Sequence, residues 1–245
     1  MKLNTRATSF VVKILPLGVI ASLMSATFSY ASVPFGLRDQ VPFHLLIGLS
    51  LAQILLLYTV VLGYVGFVLA EKSGLDPRLT VTKQALLKAL LIAAIGAILL
   101  IPDPYIFGPF IPDLSSLYTK ATYTFAYFLF SASYGGFVEE VLLRLFFLSL
   151  ISWLLTLICK KSERTTLYTW ANIIAALVFA LGHLPATKAT FGSLNAALVI
   201  RSLILNGLLG YLFGWLYIRE GFSAAMIAHG STHIISQIIL HLFIL

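Results

Sequence analysis

Three short segments of this chain carry residues able to do proton chemistry. GGFVEEVLLRLFFL, residues 135–148, holds two adjacent carboxylates, Glu139 and Glu140, with Arg144 one helical turn beyond the second. VFALGHLPA places Phe179 and His183 four apart, and AAMIAHGSTHII places His229 and His233 four apart. A spacing of four puts both members of each pair on one face of a helix. Glu140 and Arg144 then face each other as an ion pair. Glu139 lies about 100° further round and addresses a different partner. All three charges can be read as one neutralising cluster that locks helices together, but that role has no use for a carboxylate in excess of its guanidinium. A general base does.

Two chemistries suit a free carboxylate near histidines from other segments. In the first, Glu139 and His183 bind and deprotonate a water that attacks a peptide carbonyl, while His229 and His233 donate hydrogen bonds to the developing oxyanion. In the second, Glu and His side chains ligate zinc, which activates its bound water. HExxH is absent and the ligands would come from separate segments, so zinc is weakly supported and no cofactor is expected.

These residues must be positioned by elements of an unusual kind. Of 245 residues, 60% are hydrophobic and only 10% are charged, against about 25% charged in an ordinary soluble domain. Apolar runs repeatedly exceed the roughly 18 residues that mark a membrane span. The expected fold is all-α, a polytopic transmembrane helical bundle of about seven spans. They lie near residues 9–30, 43–70, 85–102, 120–158, 167–184, 194–218 and 222–245. An intramembrane charge costs at least about 2.5–3.5 kcal/mol on insertion scales. Glu139, Glu140, Arg144, His183, Arg201, His229 and His233 therefore stand out, with Asn206 as a further polar candidate. They come from four predicted helices and can converge in the bundle interior.

The net charge of +7 does not point to nucleic acid, because the basic residues sit in short loops between apolar segments. Lys2, Arg6 and Lys13 fall on one side, joined by Lys72, Arg78, Lys83 and Lys88, then Lys160, Lys161 and Arg164, then Arg219. The opposite loops offer only Arg38, Lys120 and Lys188. The excess of positive charge on one side places the N-terminus in the cytoplasm. Cys159 is the single cysteine, which excludes an internal disulfide and any CxxC motif. The first apolar run is either a retained helix or a signal peptide ending near ATFSYAS; further spans follow it, which favours retention.

Three details constrain the geometry. Residues 120–158 would form a helix of roughly 58 Å across a hydrocarbon core of about 30 Å, so the helix either protrudes beyond the membrane or breaks, with Gly135-Gly136 the expected place of a break. Counted from the cytoplasmic helix ends, His229 lies about 10 Å deep and His183 about 25 Å deep, a gap that tilt, a shifted boundary or a break near Gly135-Gly136 must close. Asn206, Gly210 and Gly214 recur every four residues, a pattern that lets helix backbones approach closely and leaves a homodimer through that face open.

The ordered motifs resemble a known family. EEVLLR at Glu139–Arg144 matches EExxxR, FALGH at Phe179–His183 matches FxxxH, and LNGLLGYLFGWLYIREGFSAAMIAHGSTH is similar to the last motif region of the CAAX prenyl protease and bacteriocin-processing (CPBP/Abi) family. The resemblance covers roughly residues 120–240. Residues 1–118, the N-terminal helices and an irregular Pro-rich loop, carry no matching motif, whereas 119–245 carry the catalytic core. The resemblance implies an intramembrane glutamic endopeptidase. Glu139 would be the base, His183 its partner, Glu140 and Arg144 supporting residues, and His229 part of the oxyanion site. The family commonly has Asn or Asp where this chain has His233. A neutral histidine still donates one hydrogen bond. The implied substrate is a prenylated CAAX-like tail, a peptide precursor or a membrane protein, in the cytoplasmic membrane of a bacterium. A proton-coupled transporter using Glu139 and the histidines as a relay, or a catalytically silent family member, is the alternative; no internal repeat supports a carrier.

Overall fold

The computed structural model describes residues 4–243. Among these residues the regular structure is helical, with no strand. Six helices are long and apolar enough to cross a membrane: α1 Thr5–Ala31, α2 Phe43–Ser73, α3 Lys83–Phe110, α4 Phe125–Ile158, α5 Arg164–Phe191 and α6 Ala196–Glu220. A seventh, α7 Phe222–Phe243, has 22 residues, enough for about 33 Å, but His229, His233, Gln237 and His241 dilute its apolarity. The protein is a multi-pass, all-α membrane protein.

Helix starts are set by local chemistry. Asn4, Thr82, Thr124 and Asn195 each accept a backbone N–H from the first turn of the helix that follows. Gly221, at φ 92°, is the single residue between α6 and α7, and it folds them into a tight hairpin. α1 buries Phe10 and Ile14 in the common core, with the Phe10 ring 4.9 Å from Phe67 and 6.0 Å from Phe222. The retained-helix reading of the first apolar run thereby acquires a packing role.

The expected break at Gly135-Gly136 is absent. α4 starts at Phe125 rather than near 120 and runs through the glycine pair to Ile158, its turns widening over Tyr134–Glu139 and again over Val141–Leu148. The two glycines instead serve a helix crossing. A Cβ on Gly136 would lie 2.8 Å from the Gly230 Cα of α7, and one on Gly135 would lie 2.7 Å from His233 Nε2. Small residues here let α7 lie directly against α4. The Gly210/Gly214 face is likewise used inside the chain, against Phe179 and against Asn172 and Leu148, so it is not a free surface for a second copy.

Arg201 belongs to a different cluster from the one expected. Its guanidinium binds both oxygens of buried Asp103, at 2.5 to 3.0 Å, and Tyr118 also donates to Asp103. Burial, with Asp103 adding to it, pushes the Tyr118 phenol up, so it stays a donor. This trio pins the irregular segment 103–118 to the start of α6 over a small core of Phe107, Ile111, Leu114 and Leu198. At the other end of the bundle the basic residues are tied to carbonyls. Arg78 donates to Arg219 and Glu220, and Arg164 donates to Ser73, while Lys88 pairs with Glu220 at 2.5 Å. Lys2 lies outside the described residues.

Candidate active site

α4, α5 and α7 bring the three motif segments together around Glu139. Its Oε1 is 3.8 Å from His183 Nε2, and its Oε2 is 3.6 Å from His229 Nε2. The expected depth difference between the two histidines is therefore not realised: both rings lie within 3.8 Å of the one carboxylate, each meeting a different oxygen. Both separations exceed a direct hydrogen bond and match a shared water.

The adjacent carboxylate is held quite differently. Glu140 is fully buried, with Arg144 Nη1 3.0 Å from Oε1 as the spacing of four requires. His229 Nδ1 donates to the same oxygen at 2.8 Å, while Oε2 has no described partner. Arg144 also donates through Nη2 to the Gly210 carbonyl at 2.9 Å, and its guanidinium lies 4.8 Å from the Phe179 ring centroid. A buried charge survives only when paired in this way.

His183 sits where α5 bends, just before Pro185. Its Nδ1 donates to the Phe179 carbonyl at 2.8 Å, which fixes the tautomer and leaves Nε2 as an acceptor facing Glu139. The Phe179 ring meets the His183 ring edge-on at 4.7 Å. His229 stacks between Phe213, at 4.4 Å, and His233, at 5.2 Å. The His233 ring has no hydrogen bond to any described residue.

These side chains form the floor of a chamber of about 520 Å³, walled by Phe28, Tyr127, Phe130, Tyr134, Thr190 and Asn206 among others. Glu139 is 18% exposed and reaches into it. A second cavity of about 370 Å³ runs between α4 and α5, lined by Leu142, Leu143 and Val178, and it shares Glu139 and His183 with the chamber.

The family model described as type II CAAX prenyl endopeptidase Rce1-like matches residues 121–235. Residues 121–235, just under half of the chain, are thus similar to that family and are called the Rce1-like region below. No curated protein and no solved structure matches the chain. The match extends from just before α4 into α7 and contains Glu139, Glu140, Arg144, His183, His229 and His233. The printed description of that family is an endopeptidase, and the similarity falls on the helices that carry the candidate site.

The structure also gives the motifs of the Rce1-like region a physical content. In FxxxH the Phe backbone orients the His and the Phe ring covers the Arg of EExxxR. Gly210 makes the room, because a Cβ there would lie 2.8 Å from Phe179 Cδ1. One role shifts. A neutral His229 has its only N–H on Glu140, so it offers Nε2 to the chamber as an acceptor and donates there only as an imidazolium. His233 also lines the chamber, and neither of its ring nitrogens is hydrogen-bonded to a described residue. Asn206 lines the chamber and donates to Ser202 at 3.3 Å. Among the described residues, no group of three or more His, Cys, Asp or Glu side chains is arranged to hold a metal ion. Sequence reasoning did not find the aromatic wall. Tyr127, Phe130 and Tyr134 follow a helical spacing on the chamber side of α4, but such stripes are common in cores.

Proposed function

We propose that the Rce1-like region is a glutamic-type endopeptidase in which Glu139 is the general base. The observation that carries this reading is the Glu139 carboxylate, free of any cation, placed 3.8 and 3.6 Å from two imidazole Nε2 atoms at the floor of a chamber. A water bridging Glu139 and His183 is held with one proton aimed at the carboxylate. As it attacks a peptide carbonyl, that proton moves to Glu139 and a C–O bond forms. His233 donates to the oxyanion, joined by His229 when its Nε2 is protonated. Glu139 then passes the proton to the leaving nitrogen as the C–N bond breaks, and the two carboxyl and amine ends separate. No metal is needed for this sequence.

The apolar groove between α4 and α5 supports a substrate that arrives through the lipid, such as a membrane protein or a peptide precursor with an apolar segment. The relay reading for a carrier requires a path through the bundle, and beyond Glu139 the interior is closed by packed side chains. Membranes bearing wild-type protein should release peptides, detectable by mass spectrometry, that membranes bearing Glu139→Gln do not. Equal release from both would sink the mechanism. Release that persists in a strong chelator is expected, and its loss would restore zinc to the site.

A further inference from the structure

The chamber is open at one end of the bundle only. Beyond Glu139 its walls come from the helix halves that lie towards one end of the bundle: Phe28 of α1, Leu100 of α3, Tyr127 of α4, Thr190 of α5 and Asn206 of α6. Thr190 stands exposed at that rim. On the opposite side of Glu139 the described residues next to it are closely packed. Val141, Leu145, Leu148, Phe213, Leu216 and Tyr217 are each at most 1% exposed, and Ser149 and Tyr217 share a hydrogen bond of 2.8 Å across this plug. Water and polypeptide reach Glu139 from the Thr190 end or sideways along the α4–α5 groove.

The two ends differ as much in charge as in access. The plugged end carries Lys72, Arg78, Lys83, Lys160, Lys161 and Arg164, together with the start of α1 and the end of α6. The open end has Arg38, Lys120 and Lys188, and its one further cation, Arg201, is neutralised by Asp103. Basic loops stay in the cytoplasm.

We propose that the chamber opens on the extracytoplasmic face of the membrane, and that its substrate is a membrane-anchored polypeptide whose scissile bond is presented from outside. The word substrate rests on the hydrolytic reading above; the direction of access does not. A tail lipidated in the cytoplasm would meet the plugged end. An exported precursor or the outer flank of a membrane protein meets the open one.

Cys159, at the cytoplasmic end of α4, is the only cysteine in the chain and serves as the inner-face marker. The test uses a membrane-impermeant maleimide on bacterial spheroplasts and on inverted vesicles. It compares the wild-type chain with Thr190→Cys and Lys188→Cys, each in a Cys159→Ser background. Thr190→Cys and Lys188→Cys should be labelled at least about tenfold more in spheroplasts than in inverted vesicles, and Cys159 should show the reverse. Labelling of Thr190→Cys from the vesicle side overturns the proposal. So does labelling of Lys188→Cys with Thr190→Cys protected in both preparations, because the rim would then be shut, and so does failure of both to label. External labelling with cleavage unaffected by Glu139→Gln would remove the hydrolytic reading and leave the access direction standing. Glu139-dependent cleavage with internal labelling would do the opposite.

Discussion

On one side of Glu139 the helices stand apart around aromatic and hydroxyl side chains; on the other they close over the Glu140–Arg144 pair and the Phe213, Leu216 and Tyr217 core. α4 and α6 contribute to both halves, and on α4 the border between them is a single peptide bond. Glu139 keeps water within reach, whereas Glu140 has none of its side chain exposed. The difference shows how a membrane bundle can hold a reactive carboxylate. Rigidity comes from a buried ion pair just beneath the site, and access comes from leaving the layer above it unfilled.

That contrast can be broken by substitution, beginning with the largest effect. Glu139→Gln should lower peptide release by about 10²–10⁴-fold, the range of a lost general base, while the thermal unfolding midpoint in detergent stays where it was. Arg144→Ala should do the reverse in kind, costing about 3–5 kcal/mol of stability by stranding buried Glu140. An inactive Arg144→Ala protein with unchanged unfolding would show that the lower layer is not a support. His233→Ala should reduce the rate by about 10²-fold as one oxyanion donor is lost, and His233→Asn should recover most of it; equal rates for both would remove His233 from the site. At the α4–α7 crossing, Gly136→Ala should cost about 1–3 kcal/mol through overpacking against Gly230, read from the same unfolding curves. Gly182→Ala has nothing within 4 Å of the added Cβ and should change stability by no more than about 0.5 kcal/mol.

Helical periodicity made the pairing of Glu140 with Arg144 legible, and it left Glu139 over, because both follow from positions within one helix. Contacts between distant segments were not legible. Nothing in the order of residues links Arg201 to Asp103, or says that His229 Nδ1 serves Glu140 while Nε2 faces Glu139. The Gly135-Gly136 pair shows the same limit. Glycine in a helix signals either a weak point or a close approach, and only the neighbour, α7, decides between them. The aromatic wall escaped notice because a chamber is defined by missing atoms between helices, which no single helix encodes.

The single-residue turn at Gly221 has a consequence for how this protein is made. α7 is long enough to span but, with three histidines and a glutamine, too polar to enter a bilayer readily alone. Tied to α6 by one glycine, it can partition as the second arm of a helical hairpin, with its polar face already turned toward its partner. Its imidazoles find their counterparts only once α3 and α4 are in place to receive Thr232 and Gly230. The candidate site is therefore assembled when the α6–α7 hairpin packs onto helices that precede it in the chain.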